Sequence, residues 1–300
     1  MKLTAIYYFS GTGNSYAVAR DISEKLDGEM IPIAKLEASD DIRVSENILG
    51  LVFPDYHSSL PNIVRRFVNK LENIQETYVF GVCTNGGTGP GLTMMNLKEA
   101  IENRQGELAA GFAVRMPYNY IIPSLNFGNP IIRVKLNTES QEKQQTKFSE
   151  WNKRFEEIVK FVEQRETGFF EASGELILNV IDRLGLRDTL GRYIWMSFAG
   201  YNGETLNSFN ENWRFMDYGF FADEACITCG TCEKICSVGN IEMKNEKPSW
   251  NHKCEHCFAC LQWCPKSAIQ FGDKMKKQLR YHHPKVESTD LILNNENVRT

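Results

Sequence analysis

The sequence predicts a chain of α/β class: a doubly wound, five-stranded parallel sheet over residues 1–165, then a small α+β domain over 217–275. Two observations carry this. Short apolar runs alternate with amphipathic helical stretches through the first part. In the second, the pattern C-x2-C-x2-C-x3-C occurs twice, position for position at a constant offset. The copies are Cys226, Cys229, Cys232, Cys236 and Cys254, Cys257, Cys260, Cys264, the second followed by Pro265.

Each element of the first part has its own signal. Residues 3–9 form a short apolar run with aromatics, a buried strand. Residues 15–26 place Val18, Ile22 and Leu26 four apart, one face of a helix. Residues 30–33 are a second strand. Residues 47–53 read continuously apolar, as a strand covered on both faces does. Residues 61–71 read as a helix with proline early and Ile63, Val64, Phe67, Val68 and Leu71 buried. Strands at 77–83 and 108–116 flank a helix at 92–101, and 139–164 is the closing helix. Alternation of this kind implies right-handed crossovers between parallel strands. Residues 117–137, with three prolines, read as an inserted loop. Residues 166–216 are a bridge, helical around 176–184 and then rich in aromatics, which read as packing rather than as a cofactor box. In the second part, strands are expected at 219–222, 240–244 and 268–271. Residues 276–300 form a polar tail.

Composition limits the possible functions. A hydrophobic fraction of 42% allows a real core, and 300 residues suit two domains. A net charge of −4 argues against nucleic acid as a partner, because phosphate binding needs a basic field. No run of about 18 apolar residues exists, so no membrane span is expected. The N-terminus lacks an extended apolar core with a cleavage site, so a signal peptide is not expected. Eight of the nine cysteines lie in the two runs, and clustered thiols inside a cell point to metal rather than disulfides. A cytoplasmic setting low in oxygen follows.

Thiolates this dense select soft metals. Zinc sites usually pair two knuckles across a longer loop and rarely use three cysteines in seven residues. His252 and His256 flank the second run and read as surface or supporting groups, since four thiolates already complete each site. Lys274, Lys276, Lys277 and Arg280 read as a solvated exit segment, with docking of an acidic redox partner as the alternative. Cys83, at the end of a buried strand, reads as a structural thiol.

Phe9-Ser10-Gly11-Thr12-Gly13-Asn14-Ser15 joins the first strand to the first helix. Its glycines permit a tight turn, and free amides at the helix start suit a phosphate. There is no G-K-[ST], so the loop is not of the Walker type. Tyr16 replaces the third glycine of G-x-G-x-x-G, so the dinucleotide fingerprint fails.

The loop Ser10-Gly11-Thr12-Gly13-Asn14-Ser15 after a strand resembles the opening of a flavodoxin of the short clostridial kind. The two cysteine runs resemble those of a bacterial two-cluster ferredoxin. The whole chain resembles flavodoxin–ferredoxin fusion proteins of anaerobic bacteria. The resemblance implies a flavodoxin-like sheet binding FMN and a ferredoxin domain binding two [4Fe-4S] clusters. It implies that Ser10, Thr12, Asn14 and Ser15 hold the phosphate, with the Gly11 and Gly13 backbones nearby. A second loop, Pro54, Asp55, Tyr56, His57, Ser58 and Ser59, would flank the ring, with Tyr56 stacking on it. A third loop, Thr84, Asn85, Gly86, Gly87, Thr88 and Gly89, would give amides to the pyrimidine edge. That loop has only small residues where flavodoxins often carry an aromatic, so Tyr118, Tyr120 or a bridge aromatic would cover the open face.

In such ferredoxins the fourth cysteine of each run ligates the other cluster. The resemblance therefore implies one cluster on Cys226, Cys229, Cys232 and Cys264, and another on Cys254, Cys257, Cys260 and Cys236. Ser237 stands where the family usually has proline after the last cysteine, which alters the turn but keeps the ligand. The function implied is electron transfer between FMN, the clusters and redox partner proteins. The alternative is a flavin-dependent reductase whose clusters feed FMN for reduction of a small-molecule substrate.

Overall fold

The central strands of the first part are too apolar to face water on either side, and they are buried. In a computed structural model, which describes residues 3–87, 89–119, 125–126, 133–134, 138–172, 180–181, 184–206, 208–272 and 279–293, the chain forms two units. One is built on the described residues within 1–117 and 140–178, the other on those within 118–139 and 179–293.

The first unit is mixed α/β around a parallel sheet. Its strands are β1 (Thr4–Tyr8), β2 (Glu29–Pro32), β3 (Ile48–Pro54), β4 (Tyr78–Asn85) and β5 (Leu108–Arg115). The helices are α1 (Asn14–Lys25), α2 (Asn62–Val68), α3 (Thr93–Glu102) and α4 (Gln141–Glu163). All five expected strands and four expected helices are present, within a few residues of their expected ends. Every residue of β1 and β4 is buried, which explains their unbroken apolar character.

The sheet has six strands rather than five, in the order β6-β5-β4-β3-β1-β2. The additional β6 (Phe169–Phe170) pairs parallel to β5 at Ala110 and Gly111. Two residues are too few to show a period, so the sequence pattern missed it. Side chains next to it pin it. Glu171 accepts from the Ala113 amide (2.7 Å) and from Arg154 of α4 (2.8 Å), and the Phe169 ring stacks on Phe112. Without β6, the strand order is 2-1-3-4-5, the flavodoxin-like doubly wound arrangement.

The second unit is built from short pieces. α5 (Arg192–Phe198), α6 (Phe209–Asn212) and a 3-10 turn at Trp213–Gly219 lead into β7 (Phe220–Ala222). A short α7 (Thr231–Lys234) follows, then the hairpin of β8 (Ile241–Lys244) and β9 (Lys247–Trp250). Asn245 and Glu246 both have positive φ, the signature of a two-residue hairpin turn. α8 (Ala259–Gln262) and β10 (Ile269–Phe271) complete the cysteine region, with β10 antiparallel to β7. β9 was not expected, since Pro248 within a strand argues against one at sequence level.

Phe209, Trp213 and Met216 join the core of Phe220, Phe258 and Phe271, so part of the aromatic bridge packs into the core of the second unit. Tyr193 is exposed. The helix expected around 176–184 lies for most of its length outside the described residues. Near the C-terminus, Tyr281, Val286 and Leu291 are buried, with α9 (Ser288–Leu291) closing the segment. Within the region read as an inserted loop, Leu125–Asn126 pairs antiparallel with Arg133–Val134. Among the described residues, no helix is long and apolar enough to cross a membrane.

Candidate cofactor sites

In the 2-1-3-4-5 order the chain leaves β1 toward β2 on one side, while β3 and its successors lie on the other. Ligands of such sheets bind outside the carboxyl ends at this switch point. The three loops singled out by sequence follow β1, β3 and β4, so all three lie at that end.

The first loop turns tightly into α1. Gly13 stands at φ +92°, where a Cβ is disfavoured. Its carbonyl accepts the Ala17 amide at 2.9 Å, opening the helix, and its own amide donates to Ser10 Oγ at 3.1 Å. The remaining first-turn amides have no helical partner and form the positive end of the α1 dipole. Thr12, Asn14 and Ser15 are buried. Asn14 Nδ2 donates to the Pro117 carbonyl at 3.0 Å, and the Ser15 and Thr84 hydroxyls bond to each other at 2.8 Å. These two side chains brace the loop against β5 and β4.

The second loop folds on itself. Tyr56 and Ser59 exchange backbone hydrogen bonds, and His57 and Ser58 between them have φ of +57° and +58°. Two consecutive left-handed non-glycine residues are strained and need outside support. The following loop supplies it. Gly91, itself at φ +53°, lies so close that a Cβ there would fall 2.3 Å from Ser58 Cβ. Asp55 accepts from Thr93 Oγ1 at 2.6 Å, and Ser59 Oγ donates to Asn96 Oδ1 at 3.1 Å, both on α3. The Tyr56 ring meets Phe9 edge-on, with centroids 6.2 Å apart.

The third loop leaves β4 through Asn85, whose Oδ1 accepts the Gly87 amide at 2.8 Å. Gly87 and Gly89 have positive φ. Thr88 and Tyr120 lie outside the described residues, and Tyr118 belongs to the second unit. The three loops are thus cross-linked into one rim: Phe9 to Tyr56, Ser15 to Thr84, Ser58 to Gly91. Sequence reasoning missed Lys147 of α4, whose Nζ donates to the carbonyls of Gly86 (2.7 Å) and Met116 (3.2 Å). Nothing in the polar pattern of α4 distinguishes it from its solvated neighbours.

In the second unit a small cavity is lined by Cys226, Cys229, Cys232 and Cys264 among other residues. These are three cysteines of one run and the last of the other. Cys229 Sγ lies 3.3 Å from Thr231 Oγ1, and that hydrogen bond lowers its pKa. Burial pushes Cys232 up to about 11, and the Cys264 thiol adds to the rise. The other four thiols lie deeper. Burial drives Cys254 and Cys260 well up and Cys257 up to about 12, and Cys236 is felt by both Cys257 and Cys260. Among the described residues, no three His, Cys, Asp or Glu side chains converge on a point where one metal ion could sit. Four thiols from two runs around one cavity are a soft donor set.

The two cysteine loops are built alike. The Asn240 amide donates to Cys236 Sγ and the Ala268 amide to Cys264 Sγ, both at 3.2 Å. Asp217, fully buried, also escaped the sequence reading. Its carboxylate accepts from Asn240 Nδ2 (3.0 Å) and the His252 amide (2.9 Å), and pairs with His252 Nδ1 (2.7 Å). His252 stacks on Tyr218, and His256 packs among Trp213, Phe258 and Phe271. Both histidines thus support the loop of the second run.

No protein-family model matches the chain, and no curated protein is similar to it in sequence. Solved structures are similar to part of it. A protein described as a flavoprotein from Bacteroides uniformis is 18% identical, over 37% of this chain and 89% of that one, with a TM-score of 0.31. An NADH:FMN oxidoreductase in its apo form is 14% identical over 37% and 74%, with a TM-score of 0.33. The rubredoxin oxygen:oxidoreductase of Desulfovibrio gigas is 10% identical over 55% and 36%, with a TM-score of 0.32. The fold itself is read from this chain's own strand order.

Proposed function

We propose that this chain is an electron-transfer protein that relays electrons between FMN and two [4Fe-4S] clusters, and to or from redox partner proteins. The observation that carries the reading is the cavity lined by Cys226, Cys229, Cys232 and Cys264. Crossed membership of this kind is the arrangement of two-cluster ferredoxins. The second set is Cys254, Cys257, Cys260 and Cys236. Supporting FMN are the doubly wound strand order and the braced rim of three loops at its switch point.

When bound, a flavin exchanges electrons in pairs or singly and the clusters exchange them singly, so together they interconvert the two modes. The chain's own residues do the holding. The α1 N-terminus, with Ser10, Gly11, Thr12 and Gly13, offers neutral donors and a helix dipole to the phosphate. Ser15 and Asn14 keep that loop in place. Tyr56 is the aromatic of the second loop, and amides of the third loop would serve the pyrimidine edge.

One feature favours the reductase alternative: the third loop is entirely small, leaving room for a small-molecule substrate at the ring.

Anaerobic reconstitution followed by analysis of FMN, iron and sulfide tests the proposal. One flavin and the iron and sulfide of two cubanes per chain are expected. Iron and sulfide without flavin rejects the relay, and zinc in their place rejects the clusters. Reoxidation of photoreduced protein by small molecules but not by carrier proteins would establish the reductase instead.

A further inference from the structure

The two halves of the cysteine domain repeat each other, yet they carry buried charges of opposite sign. Behind the Cys236 loop sits Asp217, held by Asn240, the residue whose amide donates to Cys236 Sγ. Behind the Cys264 loop sits Arg280. The sequence assigns Arg280 to a solvated exit segment with Lys274, Lys276 and Lys277, which lie outside the described residues. The structure instead draws its guanidinium inward. Nη2 donates to the carbonyls of Ser267 (3.2 Å) and Ile269 (2.7 Å) and to Gln270 Oε1 (3.2 Å). Ser267 and Ile269 bracket Ala268, whose amide donates to Cys264 Sγ. Cys264, Ala268 and Ile269 all line the cavity. The guanidinium therefore stands behind the wall that carries the fourth cysteine of the first site.

Its remaining groups are unmatched. Nε and Nη1 are buried without a hydrogen-bond partner among the described residues. Among those residues no carboxylate forms an ion pair with it. Two of the guanidinium nitrogens are thus buried and unmatched within the fold, a costly arrangement that a nearby anion relieves. Burial lowers the basicity of Arg280, opposed first by the Cys264 thiolate and then by Asp223 and Cys260. Cys264, Asp223 and Cys260 are the groups whose negative charge would act on it.

We propose that Arg280 is the fixed counter-charge of the cluster on Cys226, Cys229, Cys232 and Cys264, and makes it the higher-potential member of the pair. This rests on the reading of the cysteines as cluster ligands. The sign follows from electrostatics. One-electron reduction adds a negative charge, which a neighbouring cation stabilises and a neighbouring anion opposes. Arg280 raises the first cluster's potential, and Asp217 lowers the second's. An electron entering the domain then settles on the first cluster.

The test is an anaerobic redox titration of the reconstituted full chain, followed by electron paramagnetic resonance. Two separate waves are expected, and Cys264→Ser should remove or displace the higher one. Arg280→Met should lower that wave so that the reduced-to-oxidised ratio at fixed potential falls at least tenfold, ~59 mV for one electron. The lower wave should stay, and Arg280→Lys should hold the higher wave near its original position. Two coincident waves, a higher wave insensitive to Cys264→Ser, or an Arg280→Met protein with unchanged waves would each overturn the inference. Should Arg280→Met and Arg280→Gln both lose the first cluster, its retention in Arg280→Lys supports a charge requirement. Its loss in Arg280→Lys too assigns Arg280 to packing and overturns the proposal. Wild-type protein without iron and sulfide fails the ligand reading itself, a separate result.

Discussion

Cys229 and Cys83 are the two extremes of thiol chemistry in this chain. Cys229 is exposed, and the Thr231 hydroxyl lowers its pKa, so more of it is thiolate at neutral pH. Cys83 is fully buried in β4, and burial, then Asp55 and Glu171, push its pKa well up. In cluster-free protein under reducing conditions, iodoacetamide should modify Cys229 first and Cys83 last. Raising the pH should speed the first reaction while leaving Cys83 silent until the fold opens. Mass spectrometry of timed samples checks this. The inertness of Cys83 was legible in the sequence, because it ends an unbroken apolar strand. The reactivity of Cys229 was not, because its neighbours in the run have identical spacing and only the folded loop places Thr231 against its sulfur.

The elements show which contacts hold the sites in shape. The strained turn at His57 and Ser58 rests against Gly91, where no side chain fits. Gly91→Ala meets both a left-handed backbone and the Ser58 side chain. It should cost about 1–3 kcal/mol for the backbone alone and release the second loop. Lower thermal stability together with weaker FMN binding by fluorescence quenching is the expected result. In the second unit Asp217 serves three donors at once. Asp217→Ala removes the acceptor of the buried Asn240 side chain and of the His252 amide, a loss of about 1–3 kcal/mol. The cysteine loops rest on this network unequally, so iron should drop in the site of Cys254, Cys257, Cys260 and Cys236 before the other. Iron content and the surviving resonance signal distinguish the sites. Neither role was visible in the linear pattern. Gly91 lies outside every motif, and Asp217 lies in an aromatic stretch where a lone acid reads as surface.

At the scale of the molecule, the two units should differ in how they depend on cofactors. The first buries a six-stranded sheet under helices and has a core of its own. The second has strands of three or four residues among its named pairs in the cysteine region, too short to persist unaided. Crossed ligation would tie its halves together, so metal binding there is also folding energy. Removing iron with a chelator under reducing conditions should open the second unit to protease while the first remains resistant and keeps its helical signal. Equal protection of both units after iron removal would contradict this dependence.

Local order determined much of this protein. Apolar period marked the five principal strands and four helices, and cysteine spacing marked both thiol runs, because these signals depend on neighbours a few residues apart. The six-stranded count, the brace of Ser15 on Thr84, Lys147 at the third loop and the opposed charges of Asp217 and Arg280 were decided only in three dimensions. Each depends on a contact between residues far apart in the chain. Arg280 shows the reason most clearly. Among lysines, an arginine reads as one more solvated charge. Packing alone turned it behind Cys264 and buried two of its nitrogens, where low polarisability makes a single charge matter.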